Sequence, residues 1–188
     1  MTTVTLIVGA NSRSSRLNGL VEYTRKVLLE YDMYPQVIHV HTLPSQALLT
    51  ADVMDKTLQR YNAQVAASDG VIVFTPIFKG SYSGILKTYL DVLPQKILAD
   101  KVVYALGLGG SAHHLLALQY ALEPVLKELG TEELLQSTYV TQEQVTVNEA
   151  GFAVAEGVQQ RMLAQLAQFR QRIQVKQQQE ERRWVKIG

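Results

Sequence analysis

Short apolar runs rich in β-branched residues alternate along the chain with stretches in which apolar positions recur every three or four residues. Val4-Thr5-Leu6-Ile7-Val8, closed by Gly9, is of the first kind and predicts a buried strand. Leu17, Leu20, Val21, Thr24, Val27 and Leu28 then share one face of a helix. Val37–Val40 predicts a short second strand, and Leu43–Ala51 an irregular loop. Asp52 stands where it can cap a helix whose inner face is Met54, Leu58, Tyr61 and Val65. Gly70–Phe74 is a third strand, stopped by Thr75-Pro76. Ser83 caps the next helix, which carries Ile85, Leu86, Tyr89, Leu90 and Leu93 and ends at Pro94. Lys101–Leu108 is a fourth strand. Ser111 opens a long helix with Leu115, Leu118, Leu122, Val125 and Leu129 inward and Gly130 as its C-terminal cap. Pro124 inside that helix predicts a kink or bulge. Leu134–Val140 gives a fifth strand, and Val158, Met162, Leu166, Phe169 and Ile173 the last helix.

Strands that alternate with helices predict an α/β fold with a five-stranded parallel sheet between two helical layers. Strands one, three and four are continuously apolar, as strands covered on both faces are. The expected order is the flavodoxin-like 2-1-3-4-5, a three-layer sandwich whose ligands bind beyond the carboxyl ends of the strands. The loops after strands one, three and four therefore carry the interest. A length of 188 residues suits one domain, assigned to residues 1–174. Residues 175–188 read as a polar C-terminal tail, a solvated extension of the last helix. Trp184 in that tail is expected to pack on the same helix.

Composition narrows the chemistry. Eighteen basic against 17 acidic residues leave a net charge of +1, which provides no field for holding nucleic acid. The absence of cysteine excludes a disulfide scaffold, a thiol nucleophile and a Cys-based metal site, and fits a reducing compartment. No apolar run approaches the roughly 20 residues of a membrane span. Met1–Ala10 lacks a basic n-region and reads as a strand rather than a signal peptide, so the expected location is the cytoplasm.

Three loops hold the candidate chemistry. Gly9-Ala10-Asn11-Ser12-Arg13-Ser14-Ser15-Arg16 places serines, arginines and a helix N-terminus where a terminal phosphate would be held. Thr75–Gly84 combines a rigid proline, aromatic residues and glycines, and could wall a flat aromatic ligand. Gly107-Leu108-Gly109-Gly110-Ser111-Ala112 lets backbone approach a ligand closely before a helix N-terminus, which would suit the pyrimidine edge of a flavin. Gly107, Gly109 and Ala112 also match G-x-G-x-x-A, but at the fourth strand and without the acidic residue that a dinucleotide ribose needs. The chain lacks a P-loop and a G-x-S-x-G elbow. His113 and His114 diverge around a helix and do not chelate together; His39 and His41 read as surface residues sharing a strand face.

The segments Thr75-Pro76-Ile77-Phe78-Lys79-Gly80-Ser81-Tyr82-Ser83-Gly84 through Asp91, and Gly109-Gly110-Ser111-Ala112-His113-His114 through Leu126, resemble NAD(P)H-dependent FMN reductases. The branch most similar is the FMN reductase component of two-component alkanesulfonate monooxygenase systems, and the similarity runs from about Thr5 to Val140. The resemblance implies a flavodoxin-like fold, FMN and NADPH or NADH as cofactors or substrates, and a homotetramer. It implies FMN phosphate at Asn11, Arg13, Ser15 and Arg16, with Ser15 and Arg16 matching the family's Ser-Arg portion while Gly9-Ala10-Asn11-Ser12 departs from its usual start. It places Pro76, Ile77, Phe78, Lys79 and Ser83 around the flavin, and Gly109, Gly110 and Ser111 at its pyrimidine edge. Phe78 stands where this branch often has tyrosine. Tyr120 matches an inserted residue that forms a π-bulge at the family's tetramer interface, in members that release reduced FMN. The implied activity is hydride transfer from NAD(P)H to FMN, supplying a flavin-dependent monooxygenase in sulfonate metabolism, with no general base required. The alternatives are a bound-FMN reductase of quinones, azo dyes or metal oxyanions, a flavodoxin-type carrier, and a flavin-free interaction module that uses the basic tail.

Overall fold

Seven buried or half-buried residues, Thr2–Val8, form β1, an interior strand of the sheet. The computed structural model describes residues 1–149 and 151–185; for residues 180, 181 and 183–185 it describes the backbone alone. β1 pairs in parallel with β2 (Met33–His39) on one side and with β3 (Gly70–Phe78) on the other. β3 in turn pairs with β5 (Val102–Gly109), and β5 with two short strands, β6 (Glu133–Leu134) and β7 (Thr138–Thr141). The expected 2-1-3-4-5 order is present, with the fifth strand interrupted between Leu134 and Thr138 rather than continuous.

Helices cover both faces. α1 (Leu17–Glu30) and α6 (Glu156–Val185) bury Leu17, Leu20, Val158, Met162, Leu166 and Phe169 against Leu6, Ile72, Tyr104 and Leu106. On the opposite face α3 (Lys56–Ala67) and α4 (Gly84–Asp91) press Leu58, Val65, Leu86 and Tyr89 onto Ile7, Val71, Val73 and Val103. Burial on this scale, at roughly 25 cal/mol per Å² of apolar surface, is the dominant favourable term in folding. α6 runs without a break across position 174, and Gln177 donates to Thr2 Oγ1 and Asp69 Oδ1. The side chain of Trp184, and Lys186 beyond it, lie outside the described residues.

Several boundaries differ from the sequence expectation, each for a physical reason. β3 does not stop at Thr75-Pro76 but continues to Phe78. The Phe74 carbonyl faces β1 and accepts from Gly9 N–H, so Pro76, two residues on, faces the same side, where β1 has ended. Its missing N–H therefore costs no ladder bond. The chain then turns back as β4 (Ser81–Tyr82) through Lys79 and Gly80, both at positive φ (52° and 76°), the type I′ hairpin geometry. α3 begins later than expected: Asp55, not Asp52, caps it, its Oδ1 accepting from Thr57 and Leu58 N–H at 2.9 Å each. Met54 is consequently exposed rather than inward. A short α2 (Ser45–Leu49) lies in the expected loop.

The long helix after Ser111 is three segments: a 3-10 turn at Ala112–Leu115, a π-helical segment at Leu118–Leu122, and α5 (Glu123–Glu128). Glu123 N–H donates to the Leu118 carbonyl five residues back. Pro124 cannot donate, and its ring would press on the Tyr120 carbonyl in a regular helix; the wider π turn relieves both. Gly130, at φ 96°, follows α5 and donates to the Lys127 carbonyl, the expected C-terminal cap. A second hairpin, β8 (Val145–Asn148) with β9 (Gly151–Val154), has no counterpart in the sequence reading and packs against α1 at Gly19.

Candidate functional site

The sheet register brings three loops to one end of the molecule. Val8 aligns with Phe74, Phe74 with Leu106 and Pro76 with Leu108, so the chain after β1, the β3–β4 hairpin and the end of β5 emerge together.

Two buried side chains shape the first loop. Asn18, in the first turn of α1, donates from Nδ2 to the carbonyls of Ser12, Arg13 and Ser15 at 2.9–3.2 Å. Those carbonyls point back to Asn18, which leaves the opposite edge of the loop to its N–H groups. Among the described residues, the N–H groups of Asn11, Ser12, Arg13, Ser14 and Arg16 have no hydrogen-bond acceptor. A run of free N–H groups at a strand end before a helix is suited to serve as an anion cradle. Asn11, Ser12, Arg13, Ser14 and Arg16 are exposed and Ser15 is half-buried, and Ser12 and Ser14 hydroxyls lie 3.0 Å apart. Arg16 donates to the Gln142 carbonyl, and Ser15 Oγ accepts from Leu17 N–H.

Ser83 ties the first loop to the second. It is 1% exposed; its hydroxyl donates to the Gly9 carbonyl at 2.8 Å and accepts from Leu86 N–H at 3.3 Å, capping α4. Its own N–H donates to Thr75 Oγ1. Ser83 thus stands behind the loops and positions them. Gly9 is required there: a Cβ would lie 2.8 Å from Leu86 Cβ and 2.9 Å from Ser83 Oγ. Pro76 and Ile77 are also buried, while Phe78 and Lys79 are exposed at the hairpin tip. Burial raises the pKa of the Tyr82 phenol, which keeps it protonated beside them.

In the third loop Gly110 is exposed with open space where a Cβ would stand, Ser111 is half-buried, and Gly109 is buried. Tyr139 on β7 lies beneath: its hydroxyl donates to the Ser111 carbonyl at 2.6 Å and would meet a Cβ on Gly109 at 2.5 Å. Burial raises its pKa and keeps it a donor. Gly107 faces the Leu118 side chain, so Gly107 and Gly109 serve packing and not a dinucleotide turn. The expected α-helix dipole behind this loop is reduced to one 3-10 turn, whose Ser111 hydroxyl contacts His113 Nδ1 at 3.0 Å.

His39, which ends β2, and His41 are not the surface pair on one strand face that was expected. His41 lies in the turn that follows β2, both are half-buried, and their rings meet edge to face at 5.6 Å. His41 Nδ1 is 3.1 Å from the Ala10 carbonyl. Asn18, Tyr139 and His41 are the positioning residues that sequence reasoning missed. Only Asn18 carried a local signal, a polar residue on the apolar face of a predicted helix.

The three-layer fold, with a loop of free N–H groups after β1 and two further loops at the same sheet end, defines a flavodoxin-like protein. The family model for NADPH-dependent FMN reductase matches residues 2–150, and the chain belongs to that family of oxidoreductases, which use FMN and NAD(P)H. It is 38% identical over 167 residues to an FMN reductase (NADPH) of Pseudomonas putida, covering 89% of this chain and 81% of that one. A second FMN reductase (NADPH), from Escherichia coli K12, is 38% identical over 142 residues, covering 76% and 74%. Among solved structures, the apo form of an NADH:FMN oxidoreductase superposes with a TM-score of 0.81 at 37% identity, over 90% of this chain and 89% of that one.

Proposed function

We propose that this protein reduces FMN as an exchangeable substrate, with NADPH or NADH as hydride donor. The reduced flavin is delivered to a partner flavin-dependent monooxygenase of sulfonate metabolism in the cytoplasm. The observation that carries the reductase reading is the cradle of free N–H groups at residues 11–14 and 16, at the same sheet end as the Phe78-Lys79 tip and the bare Gly110 backbone. These residues fit FMN: Asn11, Ser12, Arg13, Ser14, Ser15 and Arg16 would hold its phosphate, and Phe78, Lys79, Gly110 and Ser111 would wall its ring system. When bound, the flavin supplies a two-electron acceptor for hydride. The protein's share is orientation of two planar rings and hydrogen-bond donors preorganised on rigid strand ends. Ser83 and Tyr139 hold the loops at fixed separation.

Exchange and assembly rest on a second observation. Tyr120, in the π-helical segment, is 78% exposed, and Leu116 and Phe78 are about half-exposed. An apolar surface of this kind supports a homotetramer in which Tyr120 packs between subunits. Purified protein should be mixed with NADPH, then NADH, with and without FMN, and nicotinamide oxidation followed by absorbance. Oxidation that requires added FMN is expected. Oxidation by a yellow protein without added FMN would overturn the exchange reading in favour of bound FMN reducing other acceptors. An absence of oxidation under every condition would leave an electron carrier.

A further inference from the structure

A groove of about 490 Å³ runs along the outer edge of the sheet, between α1 and β2. Its walls include Arg13, Asn18, Glu22, Arg25, Tyr34 and His39. Two of these, Arg13 and Asn18, also build the anion cradle, so the groove begins where the phosphate site ends. From His39 back to Tyr34 it follows six residues of β2, five steps and about 17 Å of extended chain. Arg13 and Arg25 are exposed, and among the described residues neither forms an ion pair. Glu22 is the one carboxylate on the walls against two guanidinium groups, so the groove is net positive. His39 Nδ1 is buried with no hydrogen-bond partner. Burial first, then the charges of His41, Arg13 and Arg25, lower the His39 pKa, so the ring is neutral at pH 7 and able to donate or accept. At the far end Tyr34 presents a half-exposed ring.

We propose that this groove is a subsite for a phosphorylated adenosine, with Arg13 and Arg25 on the phosphate and Tyr34 on the base. A guanidinium pair matches a phosphate in charge and fork geometry, and an exposed aromatic ring stacks on adenine. Two molecules carry this group. The adenylate half of FAD continues from the flavin phosphate, and the 2′-phosphoadenosine of NADPH extends away from the nicotinamide. The proposal rests on the flavin reductase reading, and the test separates the two.

Arg25 lies outside the flavin site and on the surface, so Arg25→Gln is the variant of choice, with Tyr34→Ala as a second. Apo-protein is titrated with ADP and with 2′,5′-ADP by calorimetry, and with FMN and FAD by fluorescence quenching. KM is measured for NADPH and NADH. Wild type is expected to bind one of the two adenosine diphosphates, and each variant to weaken that binding roughly tenfold, the loss of one charge-assisted contact or one stacked ring. FMN affinity and the NADH KM stay within twofold. A selective rise in FAD dissociation constant assigns the groove to the flavin dinucleotide; a selective rise in NADPH KM assigns it to the nicotinamide one. No binding of either diphosphate by wild type, or variants equal to wild type in every titration, overturns the proposal. Failure to reduce or bind FMN would instead refute the functional reading, and the diphosphate titrations would still decide the groove.

Discussion

Replacing Ser83 by alanine isolates the link between the first two loops. The change removes one hydroxyl in a site with 1% exposure. The Gly9 carbonyl loses its donor at 2.8 Å, and Leu86 N–H loses its cap acceptor at 3.3 Å. Leaving a buried carbonyl unpaired costs about 1–3 kcal/mol, and losing a serine cap costs about 1 kcal/mol. Together the loss is about 3 kcal/mol. For a chain of this size each kcal/mol moves Tm by roughly 2–4 °C, so the apo-protein should melt about 6–12 °C lower. The Gly9 backbone opens the cradle, so FMN affinity should fall beyond what stability explains. The assay is thermal denaturation by circular dichroism, paired with a fluorescence titration of FMN at a temperature where both proteins are folded. A Tm within about 1 °C of wild type would show that neither hydrogen bond matters, and the positioning argument would be refuted.

Substitutions at three further positions test other joints. Asn18→Asp keeps the shape but replaces the Nδ2 donor with an oxygen facing three carbonyls; it should cost about 1–3 kcal/mol and weaken FMN binding at least tenfold, measured by urea denaturation and flavin fluorescence. Lys79 sits at φ 52°, so Lys79→Gly should leave stability unchanged or raise it by about 1 kcal/mol, whereas Lys79→Val should lower it, both read by denaturant midpoint. His39 has a folded pKa below its ordinary value of 6.5. The unfolded chain therefore binds the extra proton first, and stability should fall as pH drops from 6.5 towards the folded value. His39→Gln should flatten that part of the Tm–pH curve, and an unchanged slope would reassign it to other groups.

The central strands were legible because β1, β3 and β5 are buried on both faces and read as unbroken apolar runs. β2 was read one residue too late at its end and four too late at its start, because this outer strand is only partly buried and its first half, Met33-Tyr34-Pro35-Gln36, is not an apolar run. The β3–β4 hairpin was hidden by a lysine at a position where asparagine or glycine is the usual signal. The three loops expected to carry the chemistry do emerge at one sheet end, but which of their residues face outward was not legible. Pro76, Ile77 and Ser83 are buried, and nothing in a linear pattern separates a residue that lines a site from one that holds it. The π segment was anticipated at Tyr120 from family resemblance, with Pro124 as its local physical cause.

That segment also bears on how the chain tolerates changes in length. Removing one residue from an ordinary helix rotates everything beyond it by about 100° and throws the inward face out of register. Between Leu118 and Leu122 the helix already holds one residue more than an α-turn needs, while Leu118, Leu122 and Leu126 all stay in the core. A deletion there closes the wide turn into an α-turn and keeps the leucine face inward, at a cost of about 3 kcal/mol for returning the Pro124 ring onto a helix carbonyl. A change in length in this segment therefore falls on the exposed surface around Tyr120, while the buried leucines on either side keep their inward register.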